Sequence, residues 1–328
     1  MNKITFFLPP LIFSAHPCTN NSAPTSTDPF SLASDKPSDQ SESKRTGHIL
    51  LMSDIHLCHL DWNGHTSERR VNKMIEDLNA YAQDHPYSDI LFLGDYSLDF
   101  WQHGIKGSYR NQQVSNTENM IKNYFSKLSC QSYYMIPGNH EQYSNEKWLE
   151  LTGRDRQFSV IINGWLFIML DNFSENLNPS FDSDGAYSNA DVAFIKAEME
   201  KHPDLPTVLC AHFFDEAKET AEFRQLVKSE DRIICLFAGH DHANTDEKLS
   251  QRSWGGTYLF HTGNYSYTRS PLTVRDCAWG WRELTFDSTG ITVSYYSPES
   301  SMTAEDGSPY TAPAGKISEI FIPLPERK

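Results

Sequence analysis

The chain has 328 residues, of which 38% are hydrophobic and 12% aromatic, so it can build a folded core and general disorder is excluded. Its 43 acidic and 28 basic side chains give a formal net charge of −15. The basic residues form no run longer than two, so they provide no stripe that follows a nucleic-acid backbone. We therefore expect no nucleic-acid partner. Small phosphates are still acceptable, because bound divalent cations reverse the local field.

The N-terminal residues suggest a targeting segment rather than part of the folded core. Residues 1–18 combine one early lysine with an apolar run that is too short to span a bilayer and suits a secretory signal. Cys18 adds the alternative of a lipoprotein leader, and an ordinary unstructured terminus is the third interpretation. Residues 19–46 are polar and predict a flexible linker. We expect an extracytoplasmic protein, secreted, periplasmic or lipid-anchored through a membrane tether at the N-terminus, and otherwise a cytoplasmic one.

Strands and helices alternate along residues 47–298, which we predict to form one α/β domain. Helices are predicted from apolar residues three and four apart, the first capped at Thr66 or Ser67 and a later one near Ser188 or Asn189. Asn163-Gly164 predicts a hairpin turn. The predicted strands are 48–52, 89–93, 133–136, two within 158–170, then 207–210, 233–237, 257–260, 282–286 and 291–296.

The ends of the chain and its cysteines leave alternatives open. The C-terminal extension, 299–328, has a short apolar run at 317–323 that either covers a sheet edge or trails off. Six cysteines without a Cys-x-x-Cys motif are too few for a disulfide scaffold in a chain of this length. Cys210 and Cys235 lie in apolar runs and are expected to be buried free thiols, although spacing does not exclude pairing. The sequence predicts no oligomeric state.

Five of the apolar runs end immediately before a residue of a type that binds metal ions. Sites in open α/β sheets gather at the carboxyl ends of strands, so these side chains should meet. Carboxylate, imidazole and amide ligands suit a divalent ion such as Mn, Fe or Zn. Taken singly, each residue has a simpler interpretation as a strand-end cap or a core histidine. The ordered series instead predicts a site for two divalent ions, and its members are Asp54, Asp95, Asn139, His212 and His240.

These residues belong to blocks that resemble the calcineurin-like metallophosphoesterase family: Asp-x-His at 54–56, Gly-Asp at 94–95, Gly-Asn-His-Glu at 138–141, a lone His212, and Gly-His-x-His at 239–242. The resemblance implies a four-layer α/β/β/α sandwich with two central mixed β-sheets. It implies that Asp95 bridges two divalent metal ions. One ion would be held by Asp54, His56, Asp95 and His242, and the other by Asp95, Asn139, His212 and His240.

The resemblance also implies a catalytic step that involves His140 and Glu141. His140 would be the general acid or a transition-state donor, oriented by a neighbouring carboxylate. Leu98 stands where purple acid phosphatases have a metal-binding tyrosine, and the Asp-Arg pair of protein phosphatases is missing after Asp95. The implied branch is bacterial and acts on cyclic nucleotides, nucleotides and small phosphodiesters. We expect a metal-dependent hydrolase of a small phosphomonoester or phosphodiester substrate; the alternative is a binding or scaffolding module without turnover.

Overall fold

The computed structural model describes residues 47–59, 61–62, 65–101, 109, 114–130, 132–178, 185–242, 254–266, 279–298, 302–303, 309–310 and 315–325. The predicted leader at 1–18 and linker at 19–46 therefore lie outside the described residues. No helix in the part that the structure describes combines the length and the apolar character needed to cross a membrane.

Two sheets contain the longer strands, and helices flank them. The strands are β1 (Gly47–Met52), β2 (Asp89–Phe92), β3 (Ser132–Met135), β4 (Phe158–Ile162), β5 (Trp165–Met169), β6 (Thr207–Cys210), β7 (Ile233–Ala238), β8 (Tyr258–His261), β9 (Trp281–Phe286), β10 (Gly290–Ser297) and β11 (Gly315–Pro323). The described α-helices are α1 (Ser67–Asp84), α2 (Asn116–Asn123), α3 (Asn145–Thr152), α4 (Val192–Lys201) and α5 (Ala221–Ser229). Two-residue strands pair at Asp61–Trp62 with His65–Thr66 and at Met302–Thr303 with Pro309–Tyr310.

Both sheets mix parallel and antiparallel strands, as predicted. The first has the order β11-β10-β9-β1-β2-β3, with β1, β2 and β3 parallel and the other pairs antiparallel. The second has the order β8-β7-β6-β5-β4, parallel from β5 to β8, with β4 antiparallel at its edge. Strand β11 therefore extends the first sheet at its edge, so the apolar run of the C-terminal extension does not trail off.

The alternation of side chains along the strands builds four layers. In β1, Leu50 and Met52 pack with Met74 and other apolar residues of α1, whereas Ile49 and Leu51 face the second sheet. The outer face of the second sheet packs against α4 and α5. Each fully buried aliphatic side chain contributes about 1.5–3 kcal/mol relative to exposure. The predicted α/β/β/α sandwich is confirmed.

The predicted start of the first helix and the predicted hairpin turn are confirmed, whereas one predicted helix begins later than expected. Thr66 caps α1 by accepting a hydrogen bond from Arg69 N, and Asn163 and Gly164 turn the β4–β5 hairpin with φ of 51° and 74°. Helix α4 begins later than predicted, with Asp191 as its N-cap. Cys210 and Cys235 are buried, and the described cysteines, which include both, are free thiols.

Candidate metal centre

The predicted ligands lie at the carboxyl ends of strands from both sheets. Asp54 and His56 follow β1, Asp95 follows β2, and Asn139 follows β3 in the first sheet. In the second sheet, residue 212 follows β6, and residues 240 and 242 follow β7. The five predicted loops therefore converge where the two sheets meet, and together they bring the predicted ligands into one cluster.

One half of the cluster consists of Asp54, His56 and His242, whose potential ligand atoms lie within 4.8 Å of one another. Asp54 Oδ1 is 3.2 Å from His242 Nε2 and 3.8 Å from His56 Nε2. The other half contains Asp95, His212 and His240 within the same limit. All of these side chains are buried except His240, which is partly exposed. The arrangement provides two adjacent sets of nitrogen and oxygen donors.

Asn139 and Asp95 connect the second half of the cluster. Asn139 Oδ1 lies 3.0 Å from both His212 Nε2 and His240 Nδ1. Asp95 Oδ2 lies 3.2 Å from His212 Nε2 and 3.3 Å from His56 Nε2, so this one oxygen reaches both halves. This position is the one that a bridging ligand requires.

The backbone at the ligands is unusual. Of seven non-glycine residues with positive φ in the described part of the chain, five are predicted ligands. A positive φ is uncommon in non-glycine residues, although Asp and His adopt it more readily than most, and such strain gathers at functional sites. Gly94 lets the loops approach, because a Cβ there would lie 2.6 Å from Gly138 N. These five predicted ligands are Asp54, His56, Asp95, His240 and His242.

The polar atoms of the cluster fit a cation. Asp54 Oδ1 is buried and faces His242 Nε2 at 3.2 Å, while Asp54 Oδ2 accepts hydrogen bonds from His240 N at 2.9 Å and from Ser53 Oγ. A buried carboxylate oxygen is costly unless a cation or a donor reaches it. Because two imidazole nitrogens flank it, the donor set suits a borderline divalent metal ion.

Electrostatics within the cluster favour ionised carboxylates. Burial raises the pKa of Asp54, but attraction to His242 and His212 outweighs it and lowers the pKa to about 2. Burial also opposes ionisation of Asp95, yet His140 and His212 hold its pKa well below the usual value. Burial lowers the pKa of His212, but the Asp95 charge raises it to about 10. A metal ion bound here would displace the proton of His212, since imidazole binds metals in its neutral form.

His140 and Glu141 occupy different environments although they are adjacent. His140 Nε2 lies 3.5 Å from Asp95 Oδ2, and its backbone N donates to Asp95 Oδ1 at 3.1 Å. The carboxylate of Glu141 instead accepts backbone hydrogen bonds from Asp95 N at 2.8 Å, Gly138 N at 2.9 Å and Ser97 N at 3.2 Å. The carboxylate beside the His140 ring is therefore that of Asp95. The Glu141 carboxylate instead links the loop after β2 to the loop after β3 by hydrogen bonds.

Three residues near the cluster were not predicted from the sequence. Ser53 and Thr262 lie behind Asp54, with their hydroxyl oxygens in hydrogen-bond contact. The Phe213 ring packs 4.5 Å from the His240 ring. Ser53 and Phe213 are sequence neighbours of predicted ligands, and this adjacency could have identified both residues. Thr262 has no such signal, because the sheet topology alone brings it to Asp54.

No curated protein sequence gives a significant match. Among solved structures, the chain is similar to GAP50, the anchor in the inner membrane complex of Plasmodium, with 10% identity and a TM-score of 0.52 over 87% of this chain and 91% of that one. This similarity shows a shared fold.

Two further structures are less similar. The first is the purple acid phosphatase PPD1 from yellow lupin (Lupinus luteus) seeds, with 12% identity and a TM-score of 0.49 over 83% of this chain. This chain covers only 54% of that phosphatase. The second is wild-type Vps29 complexed with Zn²⁺ from Entamoeba histolytica, with 13% identity and a TM-score of 0.38 over 84% of this chain and 98% of that one.

The sequence model of calcineurin-like phosphoesterases matches residues 47–244, more than half of the 328-residue chain. The matched region contains all the residues of the metal-type clusters. Together, the match and the clusters indicate a metal-dependent phosphoesterase that binds divalent ions. The chain belongs to the calcineurin-like phosphoesterase family.

Proposed function

We propose that this protein hydrolyses a small phosphomonoester or phosphodiester, cyclic-nucleotide or nucleotide-like, at a centre of two divalent metal ions. The observation that carries the proposal is the position of Asp95, whose Oδ2 lies 3.3 Å from His56 Nε2 on one side and 3.2 Å from His212 Nε2 on the other. A single-ion site would have no need of a carboxylate shared between two sets of donors.

The two donor sets divide around Asp95. Asp54, His56 and His242 would hold one ion with Asp95, while Asn139, His212 and His240 would hold the other with Asp95. We propose Mn, Fe or Zn, because mixed imidazole and carboxylate ligands suit these metals. When bound, such ions lower the pKa of a water molecule and stabilise negative charge on phosphoryl oxygens.

His140 is positioned to move a proton. Its side chain is 9% exposed and lies beside Asp95, so it borders the donor cluster. The hydrogen bond from its backbone N to Asp95 Oδ1, at 3.1 Å, fixes the residue relative to the proposed bridging ligand. We propose that the imidazole donates a proton to the leaving oxygen of the substrate, the step for which histidine is the usual general acid.

The substitution His140→Ala tests this role. We expect the variant to retain its metals and to lose kcat by a factor on the order of 10²–10⁴. The loss should be smaller for nitrophenyl esters, because a good leaving group needs less protonation. Elemental analysis and kinetics on paired substrates measure both effects, with His202→Ala, at the end of α4, as the control. An equal loss on every substrate would indicate a purely electrostatic role.

The alternative function is a binding or scaffolding module that uses the same fold. Activity against a panel of phosphomonoesters and phosphodiesters, with each metal added to metal-stripped protein, discriminates between the two. Turnover that depends on added metal supports the phosphoesterase proposal. Metal binding without turnover of any substrate supports the binding module.

We also propose that residues 1–46 direct the protein out of the cytoplasm and tether it. Lipidation at Cys18 would place the chain in the membrane fraction, and Cys18→Ser would then release it. Fractionation of the source cells tests this proposal. An intact chain in the cytosol that retains Met1 would overturn it.

A further inference from the structure

We infer that Phe213 is a stacking platform for the aromatic part of the substrate, which makes the preferred substrate a small phosphoester with a nucleobase or another flat aromatic group. The inference rests on the proposed function, since it assumes that a phosphate group occupies the metal centre. Phe213 contributes no donor atom to that centre. It would select among phosphoesters by the group attached to the phosphate.

The ring of Phe213 lies beside the ligand cluster. Its centroid is 4.5 Å from that of His240, with an interplanar angle of 43°. Phe213 also directly follows His212, so the same loop positions a predicted ligand and this ring. A substrate held through its phosphate at this cluster would therefore have Phe213 as a neighbour.

Phe213 lies next to the most exposed of the predicted ligands. Six of the seven predicted ligands are buried, and His240 alone is partly exposed. Among the described residues, solvent therefore reaches the predicted ligands mainly at His240. Phe213 is itself partly exposed, although the residue that follows it, Phe214, is buried in the core. The partly exposed Phe213 thus lies beside the one predicted ligand that is itself partly exposed.

Neighbouring residues hold this ring in place. The backbone carbonyl of Phe213 accepts a hydrogen bond from Asn172 Nδ2. The ring contacts Tyr187 edge to face, at a centroid distance of 5.7 Å. Tyr187 is fixed in turn, because its hydroxyl donates to Glu219 and accepts from Asp215 N at 3.1 Å. Fixing the ring in advance reduces the entropy that binding must overcome.

The chemistry of the ring favours an aromatic partner over an alkyl one. Flat aromatic groups stack on side chains such as phenylalanine and gain affinity beyond area burial, whereas an alkyl group gains burial alone. The net charge of −15 disfavours a polymeric nucleic acid as the source of the base. A single nucleotide-like molecule satisfies both conditions.

The test uses two ligands that differ only in the base. We would measure binding of adenosine 5′-monophosphate and ribose 5-phosphate by calorimetry to metal-loaded protein that carries His140→Ala to slow turnover. This parent should bind the nucleotide roughly five- to a hundredfold more tightly, the range that base–aromatic stacking provides. Adding Phe213→Leu should abolish the preference while leaving ribose 5-phosphate affinity within about twofold, and Phe213→Trp should retain it.

The matched control is Phe321→Leu, which removes a 49%-exposed phenylalanine on the edge strand β11. This variant should keep the full preference for the nucleotide. Equal binding of both ligands by the parent, or an equal loss of both in Phe213→Leu, would overturn the stacking inference and leave the proposed function intact. A parent that binds neither ligand, together with a wild-type protein that hydrolyses no phosphoester, would overturn both.

Discussion

The two carboxylate oxygens of Asp54 have different neighbours, and the difference orients the side chain. Oδ2 accepts hydrogen bonds from Ser53 Oγ and from His240 N. Ser53 Oγ also contacts Thr262 Oγ1, which donates to Ala238 O at 3.3 Å. This chain of hydroxyls joins the ends of β1, β7 and β8. It leaves Oδ1 facing the imidazoles, so the hydroxyls decide which oxygen of Asp54 is available to a metal ion.

Ser53→Ala should therefore weaken metal binding without removing a ligand. Outer-sphere partners of metal ligands typically contribute 10- to 100-fold in affinity, and we expect a loss in that range. Metal titration of stripped protein measures it. Ser126→Ala, at an exposed hydroxyl that bonds only to Lys122 O, is the control and should bind metal normally. Unchanged metal affinity in Ser53→Ala would show that Asp54 needs no such support.

Glu141 acts on the backbone of the ligand loops. Its buried carboxylate accepts from three backbone N–H groups, those of Asp95, Gly138 and Ser97, at 2.8–3.2 Å. Burial and the charge of Asp95 raise the pKa of Glu141 to about 8. The fold therefore keeps Glu141 in a position that disfavours its ionised form. The hydrogen bonds tie the loop after β2 to the loop after β3.

Glu141→Ala should destabilise the fold, because it leaves up to three buried N–H groups without an acceptor. Each unsatisfied buried group costs about 1–3 kcal/mol, so the loss of all three acceptors should cost about 3–9 kcal/mol. Urea unfolding of metal-stripped protein should show a lower midpoint. Glu222→Ala removes an exposed carboxylate that, among the described residues, pairs with Lys196 alone, and it should change stability by less than about 1 kcal/mol. Equal midpoints for the two variants would contradict the role assigned to Glu141.

The clustering of the predicted ligands could be predicted, whereas the residues that support them could not. Motif spacing and strand ends predicted that Asp54, Asp95 and His212 would lie close together, because the carboxyl ends of the strands meet at one edge. The resemblance implied a catalytic step that involves His140 and Glu141, with an unnamed neighbouring carboxylate that orients His140. The structure shows the Glu141 carboxylate bonded to backbone groups of other loops, and sequence adjacency does not reveal such partners.

Helix α4 shows how tertiary contacts move an element boundary. Ser188 and Asn189 are both good N-caps by residue type, but Ser188 N donates to Asn172 O at 2.9 Å and Asn189 Nδ2 donates to Lys218 O. Ala190 N is likewise bound, to Glu219 Oε1 at 3.1 Å. These bonds hold the segment outside the helix, so Asp191 becomes the N-cap instead.

Two substitutions test the position of this cap. Asp191→Ala removes the acceptor of Phe194 N and should cost about 1 kcal/mol. Ser188→Ala should be nearly neutral, because in the described structure the Ser188 hydroxyl makes no hydrogen bond. Thermal or urea unfolding of both variants provides the measurement. A larger loss for Ser188→Ala than for Asp191→Ala would place the functional cap where the sequence pattern predicted it.

Elements with a strong local sequence pattern were predicted, whereas an element with a weak pattern was missed. The hairpin at Asn163-Gly164 carries its own turn chemistry, and both residues have positive φ as such turns require. Helix α3 was not predicted, since Trp148 is its one buried residue and its eight residues carry little apolar periodicity. Its Ser144 cap and the left-handed Gly153 at its end were the available signals.

At the scale of the molecule, the alternation of strands and helices predicted an α/β domain and the family resemblance implied its four layers, but neither predicted the strand order. Strand β9 pairs with β1 across more than 200 residues of sequence, and β11 closes the edge beyond β10. Such long-range pairings depend on packing of the whole sheet rather than on local pattern. For the same reason the sequence left open whether the C-terminal run covered an edge.

The predicted metal ligands come from both sheets, and this leads to a prediction for the whole protein. The donors Asp54, His56, Asp95 and Asn139 follow strands of the first sheet, whereas His212, His240 and His242 follow strands of the second. Ions bound between them would link the sheets in the folded state only. Such binding stabilises a protein by about 2.7 kcal/mol per ion when the free metal is at 100 times its dissociation constant.

Removal of the metals should therefore lower the melting temperature of the full chain by roughly 5–10 °C for each ion, given about 2–4 °C per kcal/mol for a domain of this size. Calorimetry of metal-loaded and chelated protein, each checked by elemental analysis, measures the shift. Asp95→Asn provides the matched control, because the loss of the shared ligand should weaken both ions and shrink the shift. Metal-loaded and metal-stripped proteins that melt at the same temperature would contradict a centre that links the two sheets.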